Sequence, residues 1–275
     1  MRQKAWIHPA ALGRRAGRAL GLVLGVVVSY GSIAYGLMPT LWEHYENYPA
    51  WKTAPRRTQT REGIPGDVLN AGLVGSRTEL VRAMLDAGWH PADPITLHSS
   101  LDIARSVLLG RPYPTAPVSN LYLWGRPQDL AFEQPVGSNA RQRHHVRWWR
   151  ANGWSLNGRA LWIGAATYDR SVGISHFTGK ITHHIGPNVD EERDKMFTDL
   201  RNAGQLIQLF QVTGVGPTLD AHNGAGDRYF TDGEVTIGVL ARNNQVQTAQ
   251  PQQLPNPPVV RLKSTLWTWL KTLID

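Results

Sequence analysis

The chain has 275 residues, with 29 Lys and Arg against 21 Asp and Glu, 11 Trp and no Cys. This length can bury a core without covalent staples, and the missing thiols exclude a disulfide scaffold, a cysteine nucleophile and a thiolate metal site. Five of the eight net positive charges (Arg2, Lys4, Arg14, Arg15 and Arg18) fall before residue 19, leaving three for everything after it. A nucleic-acid binder carries its excess on the folded body, so no nucleic-acid partner is expected.

Residues 19–38 contain no charge and are rich in Leu and Val. About 20 such residues suffice to cross a bilayer as a helix. Tyr30, Tyr35, Trp42, Tyr45, Tyr48 and Trp51 gather toward the far end, where aromatic rings favour the membrane interface, and Glu43 and Glu46 follow. With the basic tail 1–18 in front, the pattern predicts one transmembrane helix, the N-terminus inside and the body outside. The rival is a cleaved signal peptide with Ser32-Ile33-Ala34 as its small-x-small site. The anchor is favoured, because the apolar run continues past Ala34 to Met38.

A juxtamembrane segment and linker, 39–65, ends in a polar, basic, Pro- and Gly-rich stretch. The expected domain runs over 66–247. Residues 68–74 read as a strand. Gly75 leads into Ser76-x-x-Glu79, a capping box, and Leu80, Val81, Met84 and Leu85 follow at helical spacing before Gly88. A second helix is expected from Ser99, then an irregular loop over 111–117 with three prolines. Strands follow at 121–124, 130–134, 143–149, 160–167 and 181–185, with Asn152-Gly153 and Asn157-Gly158 as turn dipeptides. Asn188 and Glu191 mark a helix start, Met196, Phe197, Leu200 and Ala203 its buried stripe, and Gly204 its end. Strands at 205–212 and 234–240 close the body, joined by a long hairpin connection. The order predicts an α+β fold with a largely antiparallel sheet and a few packing helices. Past a Pro-rich linker, the C-terminal part of 248–275 reads as a Trp-bearing basic helix. Leu262, Leu266, Trp269 and Leu270 share its apolar face, aimed either at a membrane interface or at the body.

Nucleotide-binding, GxSxG and HExxH signatures are absent. Histidines stand out instead. His144-His145 and His183-His184 lie on two predicted strands, and alternation splits each pair between the two faces. His145 falls with Arg147 and Trp149, and His183 with Ile181 and Ile185. The candidate site therefore takes His145, His176 and His184, with Asp169 and Arg170 at a strand end and Asp190 and Arg193 in the first turns of a helix. Imidazoles beside carboxylates offer proton transfer or metal ligation, and arginine offers an anion clamp. Each of these residues also has a plain structural reading as a hydrogen-bonded sheet residue, a helix-dipole carboxylate or an ion pair. The identity of any metal or cofactor stays open.

The stretches SVLLGRPYPTAPVSNLYLWGRPQDLAFEQPVG, RQRHHVRWWR, WIGAATYDRSVGISHFTGKITHHIGPNVDEERD and GAGDRYFTDGEV resemble the LssY C-terminal domain family. The resemblance covers about residues 65–240 and implies a bacterial envelope setting, here the inner membrane with the domain in the periplasm. Such domains often follow multipass regions resembling DedA or PAP2 lipid phosphatases. This chain has one hydrophobic span and lacks the PAP2 acid-phosphatase pattern, so that activity is not carried over. The expected function is an accessory or binding module for an envelope lipid, glycan or membrane-protein partner, with Trp-rich segments at its surface. The alternative is a His/Asp/Arg hydrolase or phosphoesterase.

Overall fold

The computed structural model describes residues 9–37, 54–92, 119–137, 142–174, 181–242, 247, 249–256 and 258–272. The helix expected from Ser99, the proline loop 111–117, the aromatic cluster 42–51 and His176 lie outside these residues. The chain divides into two units, Met1–Asn47 and Tyr48–Asp275.

In the first unit, helix α1 (Pro9–Ser32) passes into a π-helix over Ile33–Leu37. This corrects the expectation of one regular spanning helix. Among the described residues no helix is long and apolar enough to cross a membrane. The first half of α1 carries Arg14, Arg15 and Arg18, and the uncharged run outlasts the α-helix by several residues.

The second unit opens with β1 (Arg57–Gln59), β2 (Pro65–Val68) and β3 (Ala71–Val74). The strand expected over 68–74 is thus divided. Asn70 causes the break. Its side-chain amide donates to the carbonyls of Ala166 and Val189 at 2.9 and 3.0 Å, and its oxygen accepts from the Ala166 N–H at 2.9 Å. A side chain here takes the place of a ladder rung.

Helix α2 (Arg77–Asp86) has the predicted capping box, with Ser76 and Glu79 satisfying each other's backbone N–H. Then come β4 (His90–Pro91), β5 (Tyr122–Leu123), β6 (Arg126–Pro127), β7 (Leu130–Pro135), β8 (Arg143–Leu156) and β9 (Arg159–Ile174). The β8–β9 turn uses Asn157 and Gly158, both at positive φ, as a two-residue hairpin requires. Asn152-Gly153 is no turn. It lies inside β8, where the pairing slips between Arg150 and Ser155.

Strand β10 (Ile181–Ile185) leads to α3 (Val189–Asn202), whose N-cap is Asn188. The last elements are β11 (Leu206–Thr213), β12 (Thr218–His222), β13 (Arg228–Thr231), β14 (Glu234–Leu240), β15 (Gln252–Gln253) and α4 (Pro258–Lys271). The connection expected before 234 thus holds a hairpin of its own, β12–β13.

The fold is α+β, and most strand pairs are antiparallel. The main sheet runs β15-β11-β14-β3-β9-β8-β7-β4, with β10 also on β9, and a smaller sheet runs β2-β1-β5-β6. Helices α2 and α3 cover one face, where Leu80, Met84, Met196 and Leu200 meet Trp89, Trp148 and Trp162. On the other face Leu121 and Leu123 beside the small sheet pack on Trp149, Ile163 and Ile237. Trp89, Trp148, Trp149 and Trp162 are therefore core residues and not surface ones. Trp89, Trp148 and Trp149 are completely buried, whereas Trp124 is 41% exposed. In α4, Val260 and Trp267 are buried, with Trp267 beside Phe230, while Leu262, Leu266 and Trp269 stay exposed. The face that packs is not the one the sequence marks as apolar.

Candidate functional site

Strand β8 carries Arg143, His145 and Arg147 on one face by simple alternation. Register places His145 opposite Thr167, Arg143 opposite Asp169, and Glu133 of β7 opposite His145. All six side chains are buried. Arg143 donates to Asp169 at 2.9 Å and to Glu133 at 2.6 Å. Arg147 donates to Asp67 of β2 at 2.9 Å and to the Ser119 carbonyl at 3.0 Å. Buried charges require such partners, because an uncompensated one would cost several kcal/mol.

The tautomer of His145 follows from its neighbours. Nε2 lies 2.8 Å from Arg147 Nη1, which can only donate, and 2.7 Å from Thr167 Oγ1. Nε2 therefore accepts, and the proton sits on Nδ1, facing Asp169 Oδ2 at 3.2 Å. Burial pushes the His145 pKa down, Asp169 opposes this, and Arg147 adds to it, so the imidazole is neutral. Burial alone would raise Asp169, but His145, His183 and Arg143 hold its carboxyl far below the usual range. Arg143 is raised, because Asp169 and Glu133 outweigh its burial.

This cluster forms the base of a cavity of about 230 Å³, whose walls include Ser119, Asn120, Asn223 and His183. His183 arrives through an irregularity. Along β10, His184 pairs with Ser171 but Ile185 pairs with Asp169, so Arg170 is skipped. His183 and Ile185 consequently line the cavity, with His183 Nδ1 4.0 Å from Asp169 Oδ2. The expected division of that pair holds, with His183 beside Ile185, but the choice of His184 for the site is corrected. His183 joins the cluster, and His184 instead bonds Asp227 at 2.6 Å, an acid that also accepts from the Ile185 N–H.

The other candidates separate. Arg170 is exposed and lines a different cavity, about 590 Å³, with His144, Tyr168, Glu192 and Lys195. There His144 bonds Glu192 at 2.6 Å, and burial raises the Glu192 pKa against the pull of His144. Asp190 and Arg193 belong to a clasp between α3 and the β13–β14 turn. Arg193 holds Asp232 through two bonds at 2.8 and 3.0 Å, and Asp190 accepts from Thr231 and the Asp232 N–H. Burial, with Asp232 beside it, pushes Asp190 up to about 6. Of the seven expected residues, His145 and Asp169 meet in the cavity, and Asp190 and Arg193 meet in the separate clasp, 3.5 Å apart. Arg143, Arg147, Asp67 and His183 were missed. The available signal was Arg-x-His-x-Arg on one strand face, a charge alternation with an apolar opposite face.

Among the described residues no group of three or more His or acidic side chains is placed to hold a metal ion. A family model for the LssY C-terminus matches residues 51–235. The chain belongs to the LssY C-terminal family. In this LssY C-terminal domain the match takes in the cavity residues from Asp67 to Ala225. No curated protein and no solved structure matches the chain.

Proposed function

We propose that this LssY C-terminal family protein is a membrane-attached envelope protein whose domain is a binding module for a small polar group, such as a single sugar unit or a lipid headgroup. One observation carries the reading: a polar cavity over a set of buried charges that already compensate one another. Its size, about 230 Å³, is below the ~300–1,000 Å³ of pockets for drug-sized molecules. Arg143, His145 and Arg147 are consumed by Asp169, Glu133, Thr167 and Asp67, so they hold the walls rigid. The other side chains that line the cavity are hydrogen-bonding ones, including Asn120, Asn223 and His183. Attachment is supported by the apolar side chains of α1, with Leu22 at 71% and Val26 at 67% exposure, and by the uncharged continuation through Leu37. The basic leader favours an inner membrane with the domain on the periplasmic side.

A titration of the full chain in neutral detergent with monosaccharides and with glycerol phosphate tests the module. Saturation by a true ligand raises the melting midpoint by about 5 °C or more, from ~2.7 kcal/mol at a hundredfold excess over Kd. The rise should vanish in Asn223→Ala. Midpoints unmoved by every compound would remove the reading.

The hydrolase reading has one observation in its favour. Asp169 lies behind His183, the arrangement that orients a general base. Release of sugar or phosphate by wild type and not by His183→Gln would establish it.

A further inference from the structure

A larger concavity of the domain lies away from the cavity just described, and arginine dominates its lining. It encloses about 960 Å³ beside the turn end of the β8–β9 hairpin, and five guanidinium groups line it: Arg77, Arg126, Arg150, Arg159 and Arg242. Only two carboxylates, Glu79 and Asp129, share its wall. The surplus of three positive charges equals the net charge of the whole chain beyond residue 18.

These arginines have two kinds of work. Arg159 donates to Glu79 at 2.8 Å and to the Leu240 carbonyl at 2.9 Å, tying the hairpin to α2 and β14. Arg126 donates to Asp129, and Asp129 in turn accepts from the Arg150 N–H at 2.6 Å. Both acids are thereby committed. Arg77, Arg150 and Arg242 are exposed and have no side-chain partner among the described residues. Arg77 stands in the first turn of α2, Arg150 opposite Trp162 in the β8–β9 ladder, and Arg242 just past β14. The capping box has already used the end of α2, so the free cations and not the helix terminus define the place. Guanidinium groups that outnumber the carboxylates around them match the oxygens of phosphate, which accept bidentate pairs.

We infer that this arginine groove binds a phosphate-bearing anion, with Arg77, Arg150 and Arg242 as the ligand-facing cations and Arg126 and Arg159 as the braced frame. The inference stands apart from the proposal for the smaller cavity. The same chemistry arises from a soluble diphosphate or from a lipid phosphate, and the test separates them.

The experiment uses the full chain in neutral detergent, titrated calorimetrically with inorganic pyrophosphate and, separately, with water-soluble short-chain phosphatidylglycerol and phosphatidylcholine. The variant is Arg77→Gln/Arg150→Gln/Arg242→Gln, and a charge control is Arg61→Gln/Arg82→Gln/Arg228→Gln. Pyrophosphate affinity should fall at least tenfold in the groove variant, with an unchanged melting midpoint, and hold within twofold in the control. Binding of short-chain phosphatidylglycerol without pyrophosphate binding, lost in the groove variant and kept in the control, would assign the phosphate to lipid. Equal losses in both variants, retention in the groove variant, or no binding by wild type in either arm would overturn the inference. Should the groove variant melt early, Arg242→Gln alone, whose side chain makes no hydrogen bond or ion pair among the described residues, must still show a loss of at least threefold.

Discussion

Two buried residues give this domain opposed acid responses. Asp190, raised to about 6, holds a proton in the folded state that the unfolded chain has released, so its contribution to stability falls as pH rises from about 4 to 6. His145 is lowered, so the unfolded chain binds the extra proton, and its contribution falls as pH drops below about 6.5. Over pH 4–6 the two slopes oppose each other. In urea titrations Asp190→Asn should uncover stability that rises with pH, and His145→Gln stability that falls with it. Parallel profiles in the two variants would contradict both assignments. Asp169 is a third case, lowered and bound to Arg143, His145 and His183. Asp169→Asn leaves Arg143 short of its counter-charge and should cost about 3–5 kcal/mol at pH 7, read from the denaturation midpoint. At this scale the sequence was half legible. Alternation along β8 put His145 and Arg147 together, because a strand's period is two. It did not settle which His of β10 joins the site, because the skipped Arg170 changes which His faces Asp169, and a slip of one position in pairing leaves no mark in residue type.

Elements were legible where their signals are local. The Ser76–Glu79 box, the Asn188 cap and the Asn157-Gly158 turn all depend on residues within four positions of each other, and all stand where the sequence put them. Non-local substitutions were not legible. Asn70 cuts a strand in two by bonding to residues 96 and 119 positions away. Asn152-Gly153 reads as a turn locally, yet the partner strand extends past it. Helix α4 packs through Val260 and Trp267, a choice made by the surface around Phe230 and not by the helix's own apolar stripe. Gly164 offers a test at this scale. A Cβ there would lie 2.5 Å from the Trp148 ring, itself completely buried. Gly164→Ala should therefore cost about 1–3 kcal/mol through overpacking, and the paired Gly164→Ala/Trp148→Leu should recover part of it in the same melt.

For the molecule as a whole, attachment is the property with the plainest measurement. Leu262, Leu266 and Trp269 form an exposed stripe on α4, with Arg261 on the same helix. If both this stripe and the N-terminal run contact lipid, a fragment from residue 54 onward should float weakly with anionic vesicles, and Leu266→Glu/Trp269→Glu should abolish that flotation. The full chain of the same variant should remain in the alkaline-carbonate pellet. Recovery of the full chain in the carbonate supernatant would refute attachment by the first unit. The segment 19–38 is legible as apolar from composition alone, whereas its division into an α-helix and a π-helix is a matter of backbone geometry that composition does not encode.

The order of strands also fixes when the domain can assemble. β3 lies between β9 and β14, and β14 pairs with β3 in parallel and with β11 on its far side. The centre of the sheet therefore stays open until residues near 240 have left the ribosome, some 165 positions after β3. A protein truncated at residue 235, where the family match ends, loses nearly all of β14 and presents two raw hydrogen-bonding edges to its neighbours. Such a truncation should aggregate during expression, and one ending after residue 242 should not.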